Sequence, residues 1–180
     1  WSEVFDRAGR IAGALRGMGV SDGDRVAVLS ANSDIYMQLY LAIPWAGAVI
    51  VPMNVRWSLN EIGFALDDCV PSAAFVGAEA DAATLRLFEQ RGIKLVRLLA
   101  DAEGRHSIGE GLAHEAVEDA NRSGDDLLGI FYTGGTTGRS KGVMLSHAGL
   151  VGNCLTMRAL GICPDGARML IVAPLFHLAG

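Results

Sequence analysis

Residues 23–54 read GDRVAVLSANSDIYMQLYLAIPWAGAVIVPMN, and the fold class turns on them. Arg25 to Ser30 is a short valine-rich run that follows the turn residues Asp22 and Gly23, the pattern of a buried strand. Asn32 or Ser33 then caps a helix expected to run to about Ala46. Gly47 to Asn54 is a second buried strand, ended by Pro52. Within this stretch, Ile35 to Val55 passes 21 residues without a charge, long enough to suggest a membrane span. Gln38, Pro44, Gly47, Pro52 and Asn54 interrupt it, so a buried helix followed by a buried strand is the better account. No transmembrane segment is expected.

Outward from this unit the alternation continues. Phe5 to Leu15 has apolar residues at helical spacing, and GMGV at 17–20 stops it. Ser58 opens SLNE, a capping box with Glu61, and a helix is predicted to about Cys69. SAAFVG at 72–77 is a strand, Ala82 to Gln90 a helix, and IKLVRLL at 93–99 a strand. Beyond an acidic connector, LLGIFYT at 127–133 and GVMLS at 142–146 are strands. Ser146 then caps a helix to about Leu160, and RMLIVAP at 168–174 reads as a last strand. Short apolar strands alternating with helices predict an α/β fold of βαβ units, with parallel sheets flanked by helices on both faces. Residues 1–100 form a first block, 101–126 the connector and 127–180 a second block.

The net charge is −5, unevenly spread: residues 101–126 hold eight of the twenty acidic residues and two of the fifteen basic ones. That stretch reads as a solvated face, with a helical part expected around Leu112 to Ala120. No basic patch with interleaved aromatics is present, which argues against nucleic-acid binding. Cys69, Cys154 and Cys163 form no CxxC pair and are expected to be buried thiols, and the six methionines core filler. Trp1 to Arg10 is polar and amphipathic, unlike a secretory leader, so a cytoplasmic setting is expected. The lack of an initial Met and the stop at APLFHLAG suggest a piece of a longer protein.

Residues 132–142, YTGGTTGRSKG, carry the chemistry: four glycines, three threonines and one lysine in eleven positions. Glycine lets backbone come close to a ligand, and successive N–H groups form an anion-binding concavity. Thr133, Thr136 and Thr137 add hydroxyls, and Lys141 adds a mobile cation suited to phosphate. Lysine is scarce, with only Lys94 and Lys141 against thirteen arginines. The loop is not a Walker A loop, because Lys141 is followed by Gly142 rather than Ser or Thr. Composition alone also allows an idle glycine hairpin.

YTGGTTGRSKGVMLSH resembles the phosphate-binding signature of the adenylate-forming superfamily, which includes AMP-forming acyl-CoA synthetases, peptide-synthetase adenylation domains and luciferases. Its pattern is Thr-Ser-Gly-Ser/Thr-Thr-Gly-x-Pro-Lys-Gly. Thr133, Gly135, Thr136, Thr137, Gly138, Lys141 and Gly142 stand on matching positions. Gly134 replaces the usual serine, removing one hydroxyl, and Ser140 replaces the usual proline, loosening the loop. The likeness extends to residues 23–69 and to PLFHLAG at the end.

The resemblance implies an acid–thiol ligase. A carboxylate attacks the α-phosphate of ATP, and a thiol, usually of coenzyme A, then takes the acyl group. Thr133 to Gly142, including Arg139, would hold the phosphates, with Thr137 toward Mg²⁺ and Lys141 as cation; His177 would lie at the mouth of the acid pocket. Apart from the resemblance, a lone histidine after an apolar run reads as a core or loop residue, Ser146 as a helix cap and His147 as a packing residue. The implied cofactors are ATP, Mg²⁺ and coenzyme A, and the implied partner is a small fatty or aromatic carboxylic acid. A homodimer is left open. The family's Tyr-Gly-x-Thr-Glu segment, its ribose aspartate and its late lysine do not occur in this chain, so 180 residues are expected not to complete the reaction alone. The alternatives are an adenylation domain that loads an amino or aryl acid onto a carrier protein, and a non-catalytic nucleotide-binding relative.

Overall fold

The computed structural model describes residues 1–100, 106–108, 114–133, 140–162 and 164–177. Among them, five helices flank a six-stranded, mostly parallel sheet. The helices are α1 (Ser2–Gly17), α2 (Asp34–Trp45), α3 (Leu59–Cys69), α4 (Ala82–Glu89) and α5 (His147–Ala159). The strands are β1 (Arg25–Leu29), β2 (Val49–Pro52), β3 (Ala73–Val76), β4 (Lys94–Arg97), β5 (Leu99–Ala100), β6 (His106–Ser107), β7 (Leu127–Thr133) and β8 (Lys141–Ser146). The large sheet runs β4-β3-β1-β2-β7-β8, and β5 and β6 form a small separate ribbon. Only the β7–β8 pair of the large sheet is antiparallel. The connector separates β7 from β2 in sequence, yet the two pair through Ile50 and Gly129.

The central strands β1, β2 and β3 are almost wholly apolar because both faces of the sheet are covered there, and alternate side chains serve opposite cores, whereas the edge strands β4 and β8 are more exposed and carry polar residues. Val26 and Val28 of β1 join Phe75, Ile11, Leu15 and α2 on one side. Ala27 and Leu29 join Val76, Leu66 of α3 and Phe88 of α4 on the other. The run that suggested a membrane span is thus a buried helix and a buried strand. No described helix is long and apolar enough to cross a membrane.

Local chemistry sets the element ends. Ser33 Oγ accepts from Tyr36 N at 3.1 Å and caps α2, so Asn32 is left for another task. At the end of α2, Gly47 takes φ +82 while Ala48 N reaches back to Ile43 O at 3.1 Å. A Cβ on Gly47 would also stand 2.1 Å from Asp22 Oδ1, so only glycine fits this turn into β2. The capping box of α3 forms as read: Glu61 Oε2 accepts from Ser58 N at 2.8 Å, and Glu61 N donates to Ser58 Oγ. The Ser58 hydroxyl and then its N–H hold the Glu61 carboxyl below its usual range. At the C-cap of α3, Val70 takes φ 45, a costly value for a β-branched residue. The Arg25 guanidinium holds it there, donating to Cys69 O at 2.7 Å and Val70 O at 3.0 Å.

Several sequence expectations are corrected. Residues 115–120 are not helical; they lie along α1, with Val117 N on Gly9 O at 3.2 Å and Trp45 Nε1 on Val117 O at 2.9 Å. The backbone is drawn to the glycine face of α1, where a Cβ on Gly13 would sit 2.4 Å from Glu115 O. Leu112 and Ala113 lie outside the described residues. The run 168–174 is not a strand either: no described strand lies beside it, and Leu170 is 84% exposed. An apolar run without a ladder partner has no reason to extend as a strand. Met37, Met144 and Met169 are exposed, whereas Met53 is buried. Cys69 is buried but Cys154 is exposed, because α5 buries none of its residues; Cys163 lies outside the described residues.

Candidate phosphate-loop and acid site

Because β7 runs parallel to β1, β2 and β3, all four end at the same carboxyl edge, where open α/β sheets gather their ligands. Register makes the placement specific. Val26, Ile50 and Gly129 stand in line across the sheet, so Thr133 at the end of β7 lies level with Ser30 after β1. Two strand spacings, roughly 10 Å, separate these ends.

β8 returns antiparallel, with Thr133 opposite Lys141 and Tyr132 opposite Gly142. The glycine-threonine motif is therefore the connection of a hairpin whose two ends are held in register. Thr133 Oγ1 lies 3.5 Å from Lys141 O, at the limit of a hydrogen bond. Thr133 and Lys141 are both exposed, so their polar groups are open to a ligand. Gly134, Gly135, Thr136, Thr137, Gly138 and Arg139 lie outside the described residues. Ser140 and Gly142 are half-buried. Ser140 borders an open cleft of about 980 Å³ whose walls include Phe64, Asp68 and Arg91. Arg91 is fixed there by a two-pronged pair with Asp67, at 2.6 and 3.0 Å. Among the described residues, no group of three or more His, Cys, Asp or Glu side chains is placed to hold a metal ion.

Tyr132, one residue before the loop, is a site residue that sequence reading missed. Its side chain points away from the loop into the core formed with α3. Its hydroxyl donates to Asp68 Oδ2 at 2.6 Å, with Ala65 O at 3.3 Å as a second acceptor. Trp57 packs edge-on against its ring at 5.8 Å. Burial, and then the bond to Asp68, raise its hydroxyl well above the ordinary tyrosine range. Burial likewise pushes the neighbouring Cys69 thiol up to about 11, so it is held as an inert thiol. Tyr132 thus ties the loop's entry strand to α3. Tyr132→Phe is expected to lower stability by about 1–2 kcal/mol, read as a fall in the thermal midpoint. The only hint in the sequence is an aromatic at an inward position of a strand.

His177 closes a turn, its N–H donating to Pro174 O at 3.0 Å. Leu175 and Phe176 are buried, while His177 is exposed, with its ring 4.7 Å from that of Phe176. Ser146 caps α5 by accepting from Gly149 N at 3.2 Å, and His147 N donates to Asp126 O at 3.0 Å. Ser146 thus caps the helix, as its position suggested. The candidate site thus comprises two exposed polar pieces, the loop ends and the His177 turn.

The chain belongs to the family of AMP-binding enzymes, whose pattern it matches over residues 1–180. Its relatives are acyl-CoA ligases. It is 34% identical to a feruloyl-CoA synthase of Amycolatopsis over 99% of the chain and 34% of that protein. It is 35% identical to a long-chain-fatty-acid–CoA ligase of Thermus thermophilus over 99% of the chain and 34% of that protein. Its fold superposes on ATP-bound MatB from Rhodopseudomonas palustris with a TM-score of 0.87 at 34% identity, covering 98% of this chain and 35% of MatB. The chain spans about a third of the length of the curated relatives it matches.

Proposed function

We propose that this chain is the N-terminal part of an AMP-forming acyl-CoA synthetase acting on a fatty or aromatic acid in the cytoplasm. The observation that carries the reading is the phosphate-type loop, hung between Thr133 and Lys141 at the carboxyl edge of the sheet. In the reaction, the substrate carboxylate attacks the α-phosphorus of ATP. The bond to the bridging oxygen breaks and pyrophosphate leaves with that electron pair. The thiol of coenzyme A then adds to the acyl carbonyl, and AMP departs as the leaving group.

In this reading the residues 133–142 embrace the β- and γ-phosphates, with Lys141 neutralising charge and Thr133 donating a hydroxyl. Mg²⁺ enters with the nucleotide as part of the substrate, since it is held chiefly by phosphate oxygens and water; Thr137 would face it. His177 meets the carboxylate. Coenzyme A is favoured over a carrier protein as acceptor because the relatives named above are CoA ligases.

The test is exchange of labelled pyrophosphate into ATP by the full-length protein, over a panel of fatty, aromatic and amino acids. Acid-dependent exchange, followed by consumption of coenzyme A, is expected. No exchange with any acid would overturn the reading. Exchange with no use of coenzyme A would point to a carrier-protein acceptor.

A further inference from the structure

The segment that carries His177 has no strand beside it among the described residues, yet its backbone is firmly bonded. Asn32 supplies the bonds: its Nδ2 donates to Ala173 O at 2.8 Å, and its Oδ1 accepts from Leu175 N at 2.7 Å. One amide thus pairs with the C=O of one residue and the N–H of the second residue on, as a neighbouring strand would. Tyr40, on α2, donates its hydroxyl to Leu175 O. Leu175 buries its side chain in the core against α1 and α2. Two side chains from the β1–α2 region therefore satisfy three backbone groups more than 130 residues away, one just before and two within the turn from Pro174 to His177. Just upstream the chain is exposed, with Leu170 and Val172 at 84% and 80%.

We infer that Asn32, supported by Tyr40, is a positioning residue for the acid substrate: its two-armed amide fixes the turn that places the His177 ring. Asn32 touches no substrate and acts through His177. A side-chain amide is suited to this role because it presents a donor and an acceptor in one rigid plane. Aspartate keeps the acceptor for Leu175 N but sets a carboxylate oxygen against Ala173 O, so it should fail although it is isosteric. The inference rests on the proposed placement of His177 at the carboxylate.

The experiment uses the full-length enzyme in the acid-dependent exchange assay. It compares Asn32→Ala, Asn32→Asp, Tyr40→Phe, His177→Ala and the double variant Asn32→Ala/His177→Ala. Asn32→Ala and Asn32→Asp should each raise the KM for acid about tenfold or more, with the KM for ATP within about twofold of wild type. Tyr40→Phe, a milder change, should show the same split at smaller size. The double variant should be no worse for acid than His177→Ala alone, because the two act through one group. If His177→Ala raises the KM for acid but Asn32→Ala does not, the inference falls and the proposed function stands. It also falls if Asn32→Ala raises both KM values equally, or if its effect adds fully to that of His177→Ala. An unchanged KM for acid in His177→Ala removes the role given to that ring, and the inference with it. Absence of exchange by the wild-type enzyme overturns the proposed function itself.

Discussion

Replacing Lys141 with alanine in the full-length enzyme is expected to lower kcat/KM for ATP in pyrophosphate exchange by about 10²–10³-fold. Lys141 begins β8 directly opposite Thr133, where the hairpin delivers it to the carboxyl edge, and its side chain is exposed. The other lysine of the chain cannot substitute. Lys94 begins β4, at the opposite side of the sheet, and donates its ammonium to Met18 O. A cation aimed at phosphate oxygens does most where charge moves onto the departing pyrophosphate, so the loss should fall on the chemical step as well as on nucleotide binding. Lys141→Arg should recover only part of the rate, since a planar fork does not reproduce a compact, rotating ammonium. The fold should be unaffected, because an exposed side chain at a strand end buries little. A loss below about threefold, with the circular dichroism unchanged, would remove Lys141 from the site.

Much of the architecture was legible in the sequence, for a specific reason. Strands buried on both faces must be apolar at every position, so RVAVL, VIVP and AAFV stand out against the amphipathic helices between them. Ser58 and Glu61 announced α3 because a capping box is local chemistry, complete within four residues. The failures share the opposite property. Whether RMLIVAP becomes a strand depends on a neighbour to pair with, and whether Met144 or Cys154 is buried depends on what covers β8 and α5. Periodicity reports that a face is apolar; it does not report that the face is covered. Residues 115–120 went wrong in the same way, because the bonds from Gly9 and Trp45 that hold them extended come from distant parts of the chain.

The site divides along the same line. The glycine-threonine loop stood out in the sequence because the phosphate binding proposed for it calls for particular residue types close together in the chain. His177 alone is an ordinary histidine, and only its place in a motif of a known family singled it out. Asn32 was weighed as a helix cap, a role that falls to Ser33. Its bonds to Ala173 and Leu175 span more than 140 residues, and no local pattern could disclose them.

Phe88→Ala is expected to be the most destabilising single truncation on the α3–α4 face, at about 3–5 kcal/mol. α4 has only eight residues, and of these only Thr84 and Phe88 are buried. Phe88 is fully buried in the core shared with Leu66, Val76 and Ile93, whereas Leu85 and Leu87 of the same helix only pack against it half-buried. The Arg91–Asp67 pair also links the two helices, but its carboxylate is largely exposed, and exposed ion pairs contribute little despite good geometry. Asp67 is held below its usual range first by its hydrogen bond to Arg91, so this link weakens as the pH falls and the carboxylate is protonated. It cannot compensate for a lost core ring. The chain also turns at Phe88, whose carbonyl accepts from Arg91 N at 3.1 Å and Ile93 N at 3.2 Å, so a cavity there loosens the approach to β4. Glu89→Ala, one position on and exposed, should stay within about 0.5 kcal/mol of wild type. Equal midpoints for the two variants would mean that the ion pair, and not the ring, holds α4 to the sheet.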